Sequence, residues 1–480
     1  MKFHIYILLL LIGLGGTSCE DFLDTPPVSQ LSLTGFWNSE SDAQLGVAAI
    51  YDAAQDAFEQ EYWFWGELRG DNYILNDRPG SDTQDAISNF LTNTSFGSDW
   101  SDLYTAIAHA NIAIDKIPEI PDFTTQNDLL AQAHALRALF YFYAVRVWGD
   151  VPNVQGFVDD LSGDVNQPRA SATDIFTQII LQDLEMAESL ISTNRSPNTF
   201  ARGGILALKA HVYAWPGAHQ DYTIVKNAIE QVESLGYQLE TTEEGWSNIF
   251  RGNGTGEEII FWLAWNFSED GANGGHAQFA GFTPDKVPAE TLEAKWETAI
   301  PEDYRILQSA AFDVEIENPA EFPFLRILSK FLGVFTDRDA QVNASNSNDK
   351  DIPFFRFSGL LLLKAEAEHY LNNGSAALAL VNRVREARAL PLLVQGVDID
   401  TSNPVAMRNL ILDERQFELL GEGHRYWDLV RNGVAVEVMS QVTDINGIPN
   451  GLDQDSKILW PISQNVLNRN PNIEQNAAYR

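Results

Sequence analysis

The fold is constrained most by residues 131–152, AQAHALRALFYFYAVRVWGDVP, because a strong helix pattern there is followed directly by residues that end a helix. Leu136 and Phe140 recur at helical spacing, and five alanines keep the helix propensity high and the side chains small. Apolar residues occupy nearly every side of this helix, so other elements must bury it on several sides. Gly149 and Pro152 end it. The sequence therefore predicts the central rod of a helical array.

Further amphipathic helices lie on both sides of this rod. They are predicted around residues 39–58, 100–118, 171–191, 202–215 and 221–239, and again around 356–373 and 375–391. Ala210, Tyr213 and Ala228 occupy positions where tetratricopeptide-like helix pairs interlock. The full tetratricopeptide consensus is absent, so the pattern indicates divergent helix pairs.

Two segments, residues 60–99 and 240–350, depart from this helical pattern. The first is aromatic at its start and rich in Gly, Asp, Asn and Ser afterwards, which is typical of a short helix followed by a loop. The second contains a predicted strand, in which Ile260 and Trp262 alternate with Phe261. The rest of it is irregular over most of its length. Irregular segments of that size inside a compact protein are usually functional.

The charge and the cysteine count exclude several classes of partner and cofactor. The 480 residues carry 31 Lys and Arg against 67 Asp and Glu, which gives a net charge of −36. Such a chain repels nucleic acid and anionic lipid, so we expect no nucleic-acid partner. Solubility explains most of this charge, and an acidic site for cations is the alternative. The single cysteine excludes an internal disulfide and a cysteine-based metal cluster, and we predict no metal and no cofactor.

The N-terminus has the pattern of an export signal. Lys2 is followed by an apolar run from residue 5 to residue 14 and then by small residues up to Cys19. This run is shorter than the roughly 20 apolar residues of a membrane-spanning helix. Small residues ending on the only cysteine resemble a bacterial lipoprotein signal, with cleavage before Cys19 and lipid attached to its thiol. The alternative is an ordinary signal peptide with an incidental cysteine.

Both irregular segments carry the residue types of a carbohydrate site. Sugars present apolar C–H faces and rings of hydroxyls, so their sites combine flat aromatic side chains with Asn, Asp and Arg. Core packing is the alternative for each aromatic, and apolar surroundings favour it for Trp63, Trp65 and Trp262. The candidate ligand-binding residues are Trp65, Asp71, Asn72, Tyr73, Arg78, Phe96, Trp265, Phe267, Phe282 and Trp296.

One cluster has the composition of an enzyme site. Glu422, His424 and Asp428 are of the types that act as acids, bases and metal ligands. The alternative, which we favour, is a helix start at which Arg425 and Asp428 pair with buried neighbours. The glycine-rich run at 251–257 lacks the Lys-Ser/Thr of a phosphate loop and indicates a turn. Zinc-protease and serine-hydrolase motifs are also absent from the sequence, so no catalytic residue is predicted.

Several motifs together resemble the SusD/RagB family of outer-membrane nutrient-binding lipoproteins. They are R-x-x-G-D-V-P at 146–152, G-E-L-R-x-D-N at 66–72, D-x-R at 303–305, I-L-D-E-R at 411–415 and E-G-H-R-Y-W-D-L-V-R at 422–431. The start of the mature chain, C-E-D-F-L-D-T-P-P, and the ending at 458–479 also match the family. The resemblance runs from Cys19 to Tyr479 and is weakest at 60–100 and 240–350.

The resemblance implies a mostly α-helical protein, a tetratricopeptide-like helix-pair superhelix with a long loop-rich, partly β insertion. We expect a lipoprotein signal peptide at 1–18, a lipidated tether at 19–32 and a single domain at 33–480. The helical scaffold would comprise roughly residues 40–58, 100–238 and 356–440. The ligand-facing regions would comprise roughly residues 60–99 and 240–350.

The function that the resemblance implies is capture of a glycan at the cell surface and its delivery to a SusC-like TonB-dependent transporter. The lipid anchor would hold the protein on the outer membrane, facing the cell exterior. The helical side would dock on the transporter, while the aromatic loops face the ligand. A peptide-binding member of the same family is one alternative. A surface glycosidase is another, and it would need two carboxylates about 5 to 10 Å apart in a cleft.

Overall fold

The computed structural model describes residues 33–75, 81–156, 166–251, 256–270, 286–288, 292, 294–295, 303–314, 325–328, 330–331, 351–444 and 446–480. Its helices in the first half are α1 (Leu33–Phe36), α2 (Glu40–Phe58), α3 (Glu61–Trp63), α4 (Ser81–Ser88), α5 (Ser101–Lys116), α6 (Gln126–Trp148), α7 (Ala172–Ile175), α8 (Leu181–Leu190), α9 (Arg202–Ala214) and α10 (Tyr222–Ser234). Those in the second half are α11 (Glu243–Arg251), α12 (Phe267–Asp270), α13 (Tyr304–Ser309), α14 (Phe357–Tyr370), α15 (Gly374–Ala387), α16 (Pro404–Leu419), α17 (Arg425–Arg431), α18 (Ala435–Met439) and α19 (Gln464–Arg469).

Short antiparallel strand pairs complete the structure. The strands are β1 (Tyr73–Leu75), β2 (Val151–Pro152), β3 (Arg169–Ala170), β4 (Ile259–Leu263), β5 (Lys286–Pro288), β6 (Ala310–Val314), β7 (Leu325–Leu328) and β8 (Ile352–Arg356). They pair as β1 with β5, β2 with β3, β4 with β8 and β6 with β7. Strand β4 is the strand predicted from the sequence, and its five residues are all buried.

Helix α6 is the central rod that the sequence predicts. Of its 23 residues, 18 are buried, and it packs against α2, α5 and α8. It ends because Gly149 adopts a φ of 77°, and the Gly149 N–H still reaches the Val145 carbonyl at 3.0 Å. The positive φ favours glycine here, and a Cβ at this position would also lie 2.7 Å from Leu459 Cδ1, so the leucine side chain would have to move.

The scaffold consists of helices packed in pairs, as the sequence predicts. Helices α2 and α5, α6 and α8, α9 and α10, and α14 and α15 lie against each other. Helix α7 begins at its cap Ser171, whose side chain accepts a hydrogen bond from the Asp174 N–H. It continues through one π-helical turn, Phe176–Ile180, into α8. The mostly α-helical, tetratricopeptide-like fold is therefore confirmed.

Four helices lie where the sequence indicates loops or irregular structure, and two of them, α12 and α13, are only four and six residues long. Helix α4 (Ser81–Ser88) falls in a stretch whose composition is typical of a loop. Helix α11 (Glu243–Arg251) buries Trp246, Ile249 and Phe250 on one side, within a segment predicted to be irregular. Both are only two or three turns long, so too few apolar positions repeat for their periodicity to stand out.

The motif after α6 closes a small structural unit. Val151 and Pro152 form β2 and pair with β3, while Asp150 Oδ1 accepts a hydrogen bond from the Ala172 N–H at 2.9 Å. The Arg169 guanidinium donates to the Asp150 carbonyl. This motif therefore links the end of α6 to the start of α7.

The described part of the chain contains no helix that is both long and apolar enough to cross a membrane. The predicted signal peptide and tether at 1–32, with Cys19, lie outside the described residues.

Candidate functional site

The two segments predicted to face a ligand meet in the structure. Strand β1 belongs to the first segment, and it pairs with β5 of the second, with Tyr73 opposite Pro288 and Leu75 opposite Lys286. Residues 76–80 directly follow Leu75 in the chain, and residues 271–285 directly precede Lys286. Both candidate segments therefore join this two-stranded sheet at the same end.

The predicted aromatic platforms are buried. Trp65 and Tyr73 are each 1% exposed, and Trp265 is 9% exposed. The Trp65 ring meets Trp148 of α6 edge-on at 5.3 Å, and its Nε1 donates to the Gly97 carbonyl at 2.9 Å. All three side chains are packed inside the protein, although Tyr73 also lines the pocket described below, and their predicted contacts with a ligand stay predictions. For Trp65, Trp63 and Trp262, core packing was the alternative to ligand binding, and all three are buried.

The predicted polar contacts, Asp71 and Asn72, bind other parts of the chain. The Arg425 guanidinium donates to both Asp71 oxygens, at 2.6 and 2.9 Å. Burial, the largest single influence, would raise the pKa of the Asp71 carboxyl, but Arg425 and Lys295 together outweigh it and hold that pKa below its ordinary value. Asn72 donates to Glu67 at 2.8 Å and accepts from Gln416 at 2.7 Å. Both side chains hold other parts of the chain in place, and their predicted contacts with a ligand stay predictions.

The remaining candidates divide into two groups. Phe96 is half-buried, and its ring packs on Phe64 at 4.6 Å. Arg78, Phe282 and Trp296 lie outside the described residues, as does the side chain of Phe267, whose backbone begins α12. Their predicted ligand contacts stay predictions.

A pocket of about 170 Å³ opens beside β1. We call it the Phe90 pocket. It lies between β1, the end of α4 and residues 442–450, and Phe90 and Ile448 stand on its rim, each 54% exposed. Its apolar lining is Ile74, Leu75, Ile87 and Val442, and its polar lining includes Gln84, Asp85, Thr443, Asp444 and Asn450.

The backbone holds Phe90 at this rim. Asn89 adopts a φ of 56°, in the left-handed region that few residues other than Gly, Asn and Asp enter. Its side chain is fixed by Arg69, whose Nε donates to Asn89 Oδ1 at 2.7 Å. The turn after α4 is therefore set by a buried arginine, and it places Phe90 in solvent.

The opposite rim is also held by hydrogen bonds. Asp444 Oδ1 accepts from the N–H groups of Asn446 and Ile448, both at 2.8 Å. Asn450 Nδ2 donates to the Ile87 carbonyl at 2.9 Å, which ties this loop to α4. The pocket is thus preorganised on both sides.

The Phe90 pocket offers an exposed ring, an aliphatic neighbour and several amide, hydroxyl and carboxylate groups. That combination suits a sugar ring, which stacks an apolar face on an aromatic ring and exchanges hydrogen bonds at its edges. Its volume is below the roughly 300–1,000 Å³ of a pocket that encloses a whole small ligand. It is therefore suited to hold one part of a longer chain.

Most of this pocket is not predictable from the sequence, and of its described lining residues only Tyr73 is among the predicted ligand contacts. Phe90 lies inside the first candidate segment but is not one of the candidate residues. The polar residues around it in the sequence are the signal that could have indicated its exposure. Residues 442–450 carry no signal at all, because they reach the pocket from more than 350 positions away. Such a contact has no trace in local composition.

The enzyme-like cluster is a set of buried ion pairs. Glu422 accepts from Arg356 and from Lys330, and Asp428 accepts from Arg415 at 2.7 Å. The pKa of His424 is lowered to about 3, mainly by burial. Both the helix start, at α17, and the pairing that the sequence favoured are confirmed.

The pairing partners reach across the fold. Arg425 binds Asp71, and Asp428 binds Arg415 and Arg431. In the described residues, no group of three or more His, Cys, Asp or Glu side chains is placed to hold a metal ion.

The D-x-R motif joins the weakly helical segment to this network. Arg305 pairs with Asp303 at 2.8 Å, with Glu414 at 2.7 Å and with Glu418 at 3.0 Å. Glu418 also binds Arg356 and Arg388, and all of these groups are buried. Helix α16 therefore anchors the segment that begins at residue 303.

The chain is similar to known proteins in family, sequence and fold. A model of the SusD family matches residues 317–479, and a model described as starch-binding associating with outer membrane matches residues 21–213. SusD-like protein P38 from Formosa agariphila is 37% identical over 505 residues, which cover 98% of each chain. SusD-like protein P2 from the same organism is 27% identical over 525 residues, which cover 99% of each chain.

Solved structures share the fold. A SusD superfamily protein from Bacteroides thetaiotaomicron superposes with a TM-score of 0.75 at 22% identity, over 91% of this chain and 99% of that one. NanU from B. fragilis superposes with a TM-score of 0.75 at 20% identity, over 95% of this chain and 100% of that one. At these identities the likeness concerns the fold.

Proposed function

The chain belongs to the SusD family of glycan-binding proteins associated with the outer membrane, and we propose that it captures an oligo- or polysaccharide at the cell surface. It then delivers this glycan to a SusC-like TonB-dependent transporter. Lipid on Cys19 anchors it to the outer membrane, facing the cell exterior. The full-length similarity to P38 supports this proposal for the whole chain.

One observation carries the placement of the ligand. Strand β1 pairs with β5, so the two segments rich in aromatic and polar residues leave one sheet at the same end, next to the Phe90 pocket. We place the glycan across this end of the sheet, with one sugar ring on Phe90. Arg78 and Phe282, from the adjoining parts of the chain, are proposed as further contacts.

Capture proceeds without chemistry. Three glutamates that share arginine partners, Glu414, Glu418 and Glu422, are buried and each is bound by arginine. A glycosidase needs one free carboxylate and one that gives up a proton, both open to a substrate. Arginine pairing in the interior supports neither role.

A binding screen tests this function. The chain without residues 1–19 is titrated against a panel of polysaccharides, oligosaccharides and peptides, and every hit is incubated and checked for products. We expect one class of glycan to bind and to be recovered intact. Binding of peptides alone would favour the peptide-binding alternative, and released sugar would make the protein an enzyme.

A further inference from the structure

A second depression lies at the start of the segment 240–350. It is bounded by residues 195–197 after α8, by residues 237–248 that lead into α11, and by residues 256–259 that lead into β4. Its volume is about 640 Å³, within the roughly 300–1,000 Å³ of small-ligand sites. It shares no described lining residue with the Phe90 pocket. We call it the α11 groove.

The α11 groove offers little apolar surface. The described apolar residues that line it are Pro197, Tyr237 and Ile259, and of these Tyr237 and Ile259 are only 4% and 3% exposed. The side chains of a peptide or the tail of a lipid would lose little water-exposed surface there. A ligand of this groove must therefore be recognised mainly through hydrogen bonds.

The Arg195 guanidinium is fixed at one wall of the groove. It lies over the Tyr237 ring, 4.3 Å from the ring centroid, and its Nη2 donates to Glu257 Oε2 at 2.7 Å. The stacked ring and the ion pair hold the guanidinium in one orientation, while 34% of the side chain stays exposed. A guanidinium has five N–H donors, so several remain for the oxygens of a ligand.

Two further polar side chains of the groove have no hydrogen-bond or ion-pair partner among the described residues. Asn248 is exposed on α11, and Glu240 is half-buried. The Glu240 carboxylate lies between two glycines, since a Cβ on Gly245 or Gly256 would come within 2.6 or 3.6 Å of its oxygens. Both side chains are therefore held at the groove with their hydrogen-bonding capacity unused.

These groups match the hydroxyls of a sugar. A hydroxyl donates to a carboxylate such as Glu240, accepts from a guanidinium and does both with an amide such as Asn248. The unpaired Glu240 repels an acidic sugar or a phosphate. A metal ion is not favoured, because no group of three or more His, Cys, Asp or Glu side chains in the described residues is placed to hold one.

We propose that the α11 groove is a second glycan site, which binds a short run of neutral sugar residues independently of the Phe90 pocket. The proposal rests on the proposed function, because it assigns the captured glycan a second contact on the same chain. Two sites on one protein hold a polysaccharide longer than either site alone, provided that one glycan chain reaches both.

Hydrogen–deuterium exchange measured by mass spectrometry locates the bound sugar. The purified full-length protein is incubated, at millimolar concentration, with neutral trisaccharides of glucose, xylose, mannose or galactose, one at a time. Exchange is followed at residues 236–249 for the groove, and at residues 84–90 and 442–450 for the Phe90 pocket. Thermal stability is measured on every variant.

Four variants assign the protection to a site. Asn248→Ala and Glu240→Ala remove groove contacts, and Phe90→Ala removes the pocket contact. Asn227→Ala is the matched control, because Asn227 is also exposed on a helix, α10, and its side chain has no described hydrogen-bond partner.

We expect at least one trisaccharide to slow exchange at both sites. Both groove variants should then need about tenfold more sugar to protect residues 236–249, with protection of the pocket unchanged. Phe90→Ala should do the reverse, and Asn227→Ala should behave like the natural sequence. Asn248→Ala alone decides if Glu240→Ala lowers the thermal stability.

Three results would overturn the second site. They are no slowing of exchange at residues 236–249 with any trisaccharide, slowing that is unchanged in Asn248→Ala, and equal weakening in Asn227→Ala. Protection of the pocket alone would overturn the groove and leave the proposed function standing. Failure of the natural sequence to bind any glycan in the screen would instead contradict the proposed function.

Discussion

Asp71 and Arg425 form a buried ion pair. Two hydrogen bonds join them, and both residues are less than 10% exposed. Moving two charges out of water costs several kcal/mol for each, and their attraction offsets that cost only while both are present. The pair fixes β1 and the residues before it to the start of α17.

Replacing Asp71 with Ala should therefore lower the free energy of unfolding by ~3–5 kcal/mol, because Arg425 is left buried without its partner. Glycan affinity of the folded protein should not change. Denaturant titration and binding titration measure the two quantities, with Asp122→Ala at an exposed position as the control. A stable Asp71→Ala protein that has lost glycan binding would return Asp71 to the ligand site.

His211 is a buried imidazole among cations. Its ring stacks on Phe355 at 5.1 Å and faces His424 at 6.0 Å. Burial is the main cause that holds the pKa of His211 well below its ordinary 6.5, and His424 and Arg431 lower it further. The folded protein therefore excludes a proton that the unfolded chain binds in mild acid.

The stability contributed by a neutral His211 is complete above pH 6.5 and is lost as the pH falls below that value. Each pH unit of acidification costs up to about 1.4 kcal/mol through this one group. In His211→Asn, the free energy of unfolding should fall less steeply between pH 6.5 and 5. Denaturant titrations at pH 7.5, 6.5, 5.5 and 5 give the slope, and equal slopes in both proteins would contradict this assignment.

At the scale of elements, the junction after α6 joins a helix end to a helix start. Gly149 ends α6, β2 follows, and Asp150 accepts a hydrogen bond from the first residue of α7. None of the residues of this junction lines the Phe90 pocket. Its role is to fix the angle between two scaffold helices.

Asp150→Ala should lower the free energy of unfolding by about 1 kcal/mol, because the Ala172 N–H loses its acceptor. Asp150→Asn keeps an acceptor oxygen and should retain most of the stability. Pro152 variants should likewise harm folding and leave glycan affinity unchanged. A variant here that folds normally but no longer binds the glycan would make the motif functional.

Local patterns explain which elements the sequence predicts. Helix α6 is predicted by its alanines and by the glycine that ends it, and β4 is predicted by a bounded apolar run. By contrast, burial and exposure of single side chains depend on residues far along the chain. Trp65, for example, is buried against Trp148. An aromatic ring has the same composition signal in a core and in a binding site, so only the fold separates the two.

For the whole molecule, the proposed function separates a ligand side from a scaffold. The Phe90 pocket lies beside the β1–β5 sheet, and the scaffold helices pack around α6. We propose that lipid on Cys19 keeps this pocket beside the outer membrane.

Cys19→Ala should release the protein from the membrane, because the acyl chains proposed on this residue would supply the anchoring energy, roughly 0.8 kcal/mol for each buried methylene. Cell fractionation followed by immunoblotting measures the membrane-bound share. Glycan binding by the released protein should match that of the natural sequence. Retention in the outer membrane would contradict the lipid anchor.

The most direct test of the central claim, glycan capture beside the β1–β5 sheet, compares Phe90→Ala with Leu45→Ala. Both residues are exposed to a similar extent, 54% and 58%, but only Phe90 lines the pocket. With the glycan found in the screen, calorimetric titration should show affinity about tenfold weaker for Phe90→Ala and unchanged for Leu45→Ala. Equal affinity in both variants would contradict glycan binding at Phe90.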